Sequence, residues 1–300
     1  MEIILNNVNK YYGKKQALKD VTMTIPTGMF GLLGRNGAGK TTLMKILATI
    51  SRASSGSITI CGLDISGSRN IRAITGYLPQ DFSMYGNMNV YEAMDYLGTL
   101  SGLTKKERVE RIPLLLKEVN LQNNNKTKVR AMSGGMRRRL GIAQALLNQP
   151  KVLIVDEPTA GLDPEERVRF RNLLCEIAER RIVILSTHIV GDIEATCENI
   201  GILEEGSLCF VGTVSEFLKD TQGKVYTAEI SKTDLEKVKQ EYIVTGVLTK
   251  GSKVEIRFLS DRDPFEGAVQ VEPNVEDGYL YLMNRKGEKS DVGQTHTTGM

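Results

Sequence analysis

The chain has no tryptophan, two histidines and four cysteines in 300 residues, and each scarcity removes a class of protein. Cys61, Cys175, Cys197 and Cys209 stand far apart with no Cys-x-x-Cys spacing. Neither a zinc ribbon nor a disulfide framework is available to them, and they read as buried thiols of a reducing compartment. No window approaches the ~18 uninterrupted apolar residues that a membrane helix needs. The best runs, MFGLLG at 29–34 and VLIV at 152–155, are strand-sized. The opening MEIILNNVNK lacks the basic patch and apolar stretch of a secretory signal, so none is expected. There is no sustained heptad run and no internal repeat, which leaves out a long coiled coil and a solenoid.

What remains is an ordinary globular composition. With 41% hydrophobic and 25% charged residues the chain can bury a large core, and its length allows about two domains. A net charge of +3 is too small to imply a nucleic-acid partner, but it is unevenly spread. Residues 101–149 hold eleven Lys or Arg against three Glu. That segment could face phosphates, anionic lipid or an acidic partner, or be a solvated face.

The pattern along the chain is α/β. Val21, Met23 and Ile25 alternate with Thr22 and Thr24, so residues 3–25 read as antiparallel strands with one wet face. Pro26-Thr27-Gly28 is a turn, and Met29 to Leu33 is a short buried strand. A glycine-rich loop at 34–39 and a helix from Lys40 to Ala48 follow, then a strand over 54–62. From about 85 to 148 the spacing turns helical, with Thr104 and Glu107 forming a capping box and Pro113 expected to break or kink the helix it sits in. After Pro150 the alternation resumes: strand 151–155, helix 164–180, strand 182–186, helix 189–197. From 223 to 285 the texture shifts to a small α+β extension, with a strand at 225–230, a helix at 233–241 and a hairpin pattern around Lys250-Gly251-Ser252. Residues 286–300 are polar and expected to be disordered.

The strongest chemical signal is GRNGAGKTT at 34–42, which fits Gly-x-x-x-x-Gly-Lys-Thr between a strand and a helix. In such a loop the backbone N–H groups from Gly34 through Asn36, Gly37, Ala38 and Gly39 can curl around phosphate oxygens, and the next helix adds its positive end. Lys40 would reach the β- and γ-phosphates, Thr41 would ligate Mg²⁺ and Thr42 would touch the α-phosphate. Downstream, VLIVDEP at 152–158 delivers two carboxylates to the end of a buried strand. Asp156 is placed to hold Mg²⁺ through water and Glu157 to polarise the attacking water, because phosphoryl transfer is mostly positioning and charge neutralisation. A guanine-reading Asn-Lys-x-Asp is missing, since Asn125-Lys126-Thr127-Lys128 lacks the last carboxylate. ATP is therefore favoured over GTP.

MSGGMRRRL at 132–140 resembles the signature sequence of ATP-binding-cassette (ABC) ATPases, usually written LSGGQ. Four further elements of that family stand in order. Tyr12 resembles the adenine-stacking A-loop and Gln80 in GYLPQ the Q-loop. Asp163 in AGLD resembles the D-loop residue and His188 in LSTHI the switch histidine. The match covers residues 2–220. SGGM followed by three arginines further resembles the drug- and bacteriocin-resistance branch, whose ATPase chains pair with ABC-2-type membrane subunits. Met132 and Met136 depart from the common signature, while Ser133, Gly134 and Gly135 keep a hydroxyl and free N–H groups at a helix start.

The resemblance implies an α/β P-loop NTPase of ABC type over 1–222, with a helical subdomain at about 85–148. It implies ATP and Mg²⁺ as ligands, with Thr41, Gln80 and Asp156 at the metal and Glu157, His188 and Gln80 in hydrolysis. Ser133, Gly134, Gly135 and Asp163 would meet the nucleotide held by a second subunit, in a two-fold pair expected to be a homodimer. A separate integral membrane permease would receive the work, so the chain is expected at the cytoplasmic face of the membrane as a peripheral subunit powering export. A soluble ABC ATPase acting on ribosomes or nucleic acid is the alternative, although no nucleic acid is expected as a partner. Asp163 also reads, on local grounds alone, as a helix N-cap before Pro164.

Overall fold

A computed structural model describes the backbone of residues 1–294 and the side chains of residues 1–285. The chain forms two compact units, Met1–Gly212 and Thr213–Met300. The change of texture read from the sequence falls about ten residues later, because the short helix and turn that open the second unit carry no contrast in composition.

The first unit opens with β1 (Glu2–Tyr12) and β2 (Lys15–Pro26), an antiparallel pair, followed by β3 (Gly28–Leu33) and helix α1 (Lys40–Leu47). Next come β4 (Ser55–Ile60), β5 (Leu63–Asp64), α2 (Ser68–Ile74) and β6 (Thr75–Leu78). Three helices form the middle: α3 (Val90–Leu100), α4 (Lys105–Glu118) and α5 (Gly134–Ala145). Then β7 (Val152–Asp156), α6 (Pro164–Ala178), β8 (Ile182–Thr187), α7 (Val190–Thr196), β9 (Asn199–Glu204) and β10 (Ser207–Thr213) complete the unit. One sheet joins all ten strands in the order β5-β4-β1-β2-β10-β9-β3-β8-β7-β6. The half from β9 to β6 is parallel and the half containing β1, β2, β4 and β5 is antiparallel.

Sequence dictates this division. Every residue of β7 and β8 is buried, as strands covered on both faces require, whereas β2 alternates buried Val21, Met23 and Ile25 with exposed neighbours. Each fully buried Val, Leu or Ile of β7 removes apolar surface worth about 1.5–3 kcal/mol from water. That burial offsets the cost of holding Asp156, also fully buried, at the strand's C-terminal end. Reciprocal capping boxes set the starts of α3 (Asn89 with Glu92) and α4 (Thr104 with Glu107).

Two expectations fail here. Helix α4 runs unbroken through Pro113. Pro113 and Val109, whose carbonyl loses its helical donor, both lie on the exposed side, where water can serve that carbonyl, while Ile112, Leu115 and Leu116 anchor the buried side. Of the four thiols only Cys197 is buried; Cys61, Cys175 and Cys209 are half-buried, and none is in a disulfide.

The second unit has α8 (Val214–Leu218), β11 (Val225–Ser231), α9 (Leu235–Glu241), β12 (Ile243–Lys250), β13 (Lys253–Leu259), β14 (Val269–Gln270) and α10 (Val275–Gln294). Its antiparallel sheet has the order β12-β13-β11-β14. Ala228, Val238, Val254, Ile256 and Phe258 form its core on one face, and Val225, Leu259 and Tyr281 pack on the other. The backbone of helix α10 continues to Gln294, into the segment expected to be disordered from 286. Residues 295–300 of that expectation lie outside the described residues.

Candidate functional site

The loop between β3 and α1 is shaped by what cannot stand there. Gly39 has φ +107°, and a Cβ on it would lie 2.7 Å from the Ala17 carbonyl oxygen. A larger residue is excluded twice over, by backbone strain and by contact. Gly39 also occupies the N-cap of α1 with no side-chain cap, so the first-turn N–H groups of Lys40, Thr41 and Thr42 point outward without a competing acceptor. No acidic side chain sits in that turn. Lys40 is 5% exposed and folds back along the loop, its Nζ donating to the carbonyls of Gly34 (2.7 Å) and Arg35 (3.2 Å).

A cleft of about 760 Å³ opens over this loop. Of the residues expected at the site, Tyr12, Asn36, Gly37, Gly39, Lys40, Thr41, Thr42, Gln80 and Glu157 line it. Gly34 and Ala38 are buried beneath the loop. Tyr12 is half exposed at the end of β1, with Lys10 Nζ 4.9 Å from its ring centre, and offers a flat apolar face to the cleft. Gln16, Lys19 and Glu205 also line the cleft, and no motif announces them.

The two carboxylates at the end of β7 diverge in role because the backbone turns between them. Glu157 has φ +47°, a left-handed conformation that costs a non-glycine residue of order 1–3 kcal/mol. Its N–H donates to the Ser186 carbonyl at 3.0 Å, which holds the turn against β8. This turn brings the Glu157 carboxylate to the cleft, where Oε1 lies 3.2 Å from Lys40 Nζ and Oε2 lies 2.7 Å from His188 Nδ1. An ionised carboxylate can only accept, so in this contact His188 donates from Nδ1. The His188 side chain is 43% exposed and so stands outside the core.

Asp156 is fully buried opposite Ser186 of β8. Its Oδ1 accepts from Ser186 Oγ, and its Oδ2 is buried with no partner among the described residues. Its charge is felt nearby: burial first, and then the Asp156 carboxylate, push the Tyr77 phenol up to about 12. A buried carboxylate oxygen left without a donor fits a site that receives a cation or its water.

The signature residues stand apart from this cleft. Ser133 caps α5, its Oγ accepting from the Met136 N–H at 3.2 Å, and Gly134 and Gly135 open the helix. A Cβ on Gly135 would crowd the Glu166 side chain of α6, which would have to shift. Met132 is 3% exposed and fills an apolar slot, which accounts for Met where the common signature has Leu. Asp163 does cap α6, accepting from the Glu166 N–H at 2.9 Å, with Pro164 at the first helical position. None of Ser133, Gly134, Gly135 or Asp163 lines the Lys40 cleft.

Three further residues tie these parts together. Arg138 donates to the Gln80 carbonyl at 2.6 Å, fastening α5 to the Q-loop segment. Thr159 Oγ1 donates to Asp192, which is fully buried with Arg171 at 3.6 Å and Arg167 at 4.0 Å. The segment that leaves Glu157 is thereby tied to α7, the helix that follows His188. Pattern reading passes over Asp192 because its role depends on partners distant in sequence.

Comparison with known proteins agrees with this geometry. The family described as ABC transporter matches residues 18–160. The linearmycin resistance ATP-binding protein LnrL of Bacillus subtilis is 30% identical, over 93% of this chain and 97% of that protein. An uncharacterised ABC transporter ATP-binding protein of Synechocystis is 39% identical over 70% of this chain, and the match spans 60% of that relative's length. Among solved structures, a dimeric bacterial ABC transporter cassette superposes with a TM-score of 0.63 at 25% identity, covering 70% of this chain and 98% of the other. With a phosphate loop, paired carboxylates and a signature helix in one α/β unit, this chain belongs to the ABC transporter family, as an ATP-binding and ATP-hydrolysing subunit.

Proposed function

We propose that the chain works as one half of a homodimer at the cytoplasmic face of a membrane, powering export through a separate integral membrane permease. Among the described residues no helix is long and apolar enough to cross a membrane, and this reading takes the transport path from a separate chain. The relative LnrL is named for linearmycin resistance, which favours outward movement of a compound. A nucleic-acid partner finds less support. In the basic 101–149 segment, Arg108 pairs with Asp95 at 2.7 Å, Arg139 pairs with Glu166, and Arg138 bonds the Gln80 carbonyl. The guanidinium groups of that segment that are half-buried are engaged inside the unit.

The observation that carries the reading is the placement of Glu157 between Lys40 and His188 at the cleft. ATP phosphates would be cradled by the loop N–H groups, with Lys40 supplying charge compensation and Tyr12 stacking on the base. Mg²⁺ fits the donors present: the Thr41 hydroxyl, the Gln80 amide and, through water, the unpartnered Asp156 oxygen. Such an ion would neutralise charge on the β- and γ-phosphates. Glu157 would orient the attacking water and take its proton, and His188 would fix which way the Glu157 carboxylate faces. Ser133 and Gly134, being away from this chain's cleft, would serve the ATP of the second subunit.

Mixing two inactive proteins tests the reading. Lys40→Ala and Ser133→Arg chains combined should regain ATP turnover above either alone, because one of the two shared sites is then intact. Proven mixed dimers that stay at the level of the single variants would sink the shared-site reading. Co-purification with a membrane protein checks the permease.

A further inference from the structure

The second unit carries a sheet edge that no described strand covers. β12 ends the order β12-β13-β11-β14, and its C-terminal half is exposed, Val247 by 47% and Leu248 by 56%. An uncovered edge with apolar side chains is a template for another strand. Beside the other half of the same strand lies a cavity of about 830 Å³, lined by Ile243, Thr245, Leu259 and Tyr281 among others. One strand thus presents an exposed apolar stretch at one end and a hollow at the other.

We propose that β12 pairs with β12 of a second copy of this chain, antiparallel about a two-fold axis at Thr245 and Gly246, forming a dimer contact that needs no nucleotide. The side chains decide the occupant. β12 has a bulge between Val244 and Gly246: Val244 lies opposite Phe258 and Val247 opposite Ile256, both buried on one face. Ile243 and Leu248 lie opposite Leu259 and Glu255, on the other face. Directly opposed residues in an antiparallel pair must share a face. In the self-paired register Val244 meets Val247 and Ile243 meets Leu248, each pair matched in face and in apolarity. Without the bulge those pairs would fall on opposite faces.

The same register seats the exposed Leu248 of each copy beside the hollow next to Ile243 of the other. It also brings Lys250 to the end of the partner strand, where Glu241 stands at the C-terminus of α9, exposed and without an ion pair among the described residues. Lys250, at present 2.5 Å from Glu255 on β13, would then sit between two carboxylates. The strand is self-complementary in shape, face and charge, which an unrelated peptide would match only by chance.

Sedimentation equilibrium of the full nucleotide-free chain with EDTA tests the proposal. A dimer should form reversibly with concentration. Leu248→Asp should weaken it about tenfold or more, and Glu241→Lys or Lys250→Glu alone about threefold to tenfold. Both charge variants change exposed residues, and the Lys250–Glu255 pair lost in one of them is a surface pair of small worth, so both are expected to fold. Mixed together they should form a heterodimer as tight as the native pair, since each then meets the opposite charge. A chain that stays monomeric without nucleotide at every concentration overturns the proposal. So does a dimer indifferent to all three substitutions, or one in which the mixture recovers nothing.

Discussion

β7 and β8 of the first unit are buried along their whole length, while β12 of the second has no fully buried residue. The parallel strands end in Asp156 and Thr187, next to Glu157 and His188, so the candidate reacting groups stand at their C-terminal ends. β12 ends in a lysine beside a turn and carries its information along its edge. A strand enclosed on both faces can hold charged groups rigidly at its tip, because nothing along its length can move. A strand at the edge of a small sheet can offer backbone and apolar surface to a partner but fixes no reacting group. The two units therefore divide labour between positioning and association.

The sharpest break between them should come from chemistry at the buried strand ends. Glu157→Gln keeps shape but removes the proton acceptor, so ATP turnover should fall by about 10²–10⁴-fold while ATP binding persists. Turnover by phosphate release and binding by filter retention check both halves. Near-native turnover would move the base elsewhere. Lys40→Ala should weaken ATP affinity by about 10–100-fold, on the order of 1.5–3 kcal/mol for a charge-assisted contact, with the cost appearing in the dissociation constant. Neither substitution should alter the nucleotide-free association of the second unit.

Thr159→Val removes the donor to the buried Asp192 and leaves that carboxylate to its two arginines. Stability of the first unit should drop by about 1–3 kcal/mol, and turnover should fall more than ATP affinity because the Glu157 segment loses its tie to α7. Thr159→Ser keeps the hydroxyl and should restore both. Removing the second unit after Thr213 should have a smaller effect on the site, leaving ATP affinity within about twofold, since none of the cleft residues belongs to it. Isothermal titration on the shortened chain decides this, and a collapse of affinity would show that the units are not energetically separate.

How much of this was legible follows the same division. GRNGAGKTT, VLIVDEP and LSTHI could be read because their chemistry depends on residues adjacent in sequence, on a strand or loop whose type the pattern also gives. The helix through Pro113 could not, because which side of α4 faces water is a tertiary fact. The partners of Asp192, Ser186 and Arg138 were silent for the same reason: each acts on a group 30 or more residues away. In the second unit the hairpin of β12 and β13 is legible from its turn. The bulge at Thr245, which sets the faces of β12, leaves no mark in the residue types. Long helix α10 was hidden by a polar sequence that looks the same folded or not.

The smallest expected effect uses an asymmetry of composition. All four cysteines lie in the first unit, so thiol chemistry reports on that unit alone. Burial pushes the Cys197 thiol up to about 12, whereas a free thiol titrates near 9. At pH 8 the half-buried Cys61, Cys175 and Cys209 should react first with a disulfide reagent, and Cys197 only as the first unit opens. The sign with pH follows from which state holds the proton. Between about 9 and 12 the folded thiol stays protonated and the unfolded one ionises, so stability should fall by about 1.4 kcal/mol per pH unit from this group. Cys197→Ala should flatten that alkaline limb without touching stability near neutral pH beyond its packing cost. Denaturant titrations at pH 8 and pH 10 on both proteins measure the difference. The Cys197 labelling midpoint in denaturant should be the same in the full chain and in the chain ending at Thr213; a shift between them would mean that the second unit steadies the first, and that positioning and association are coupled.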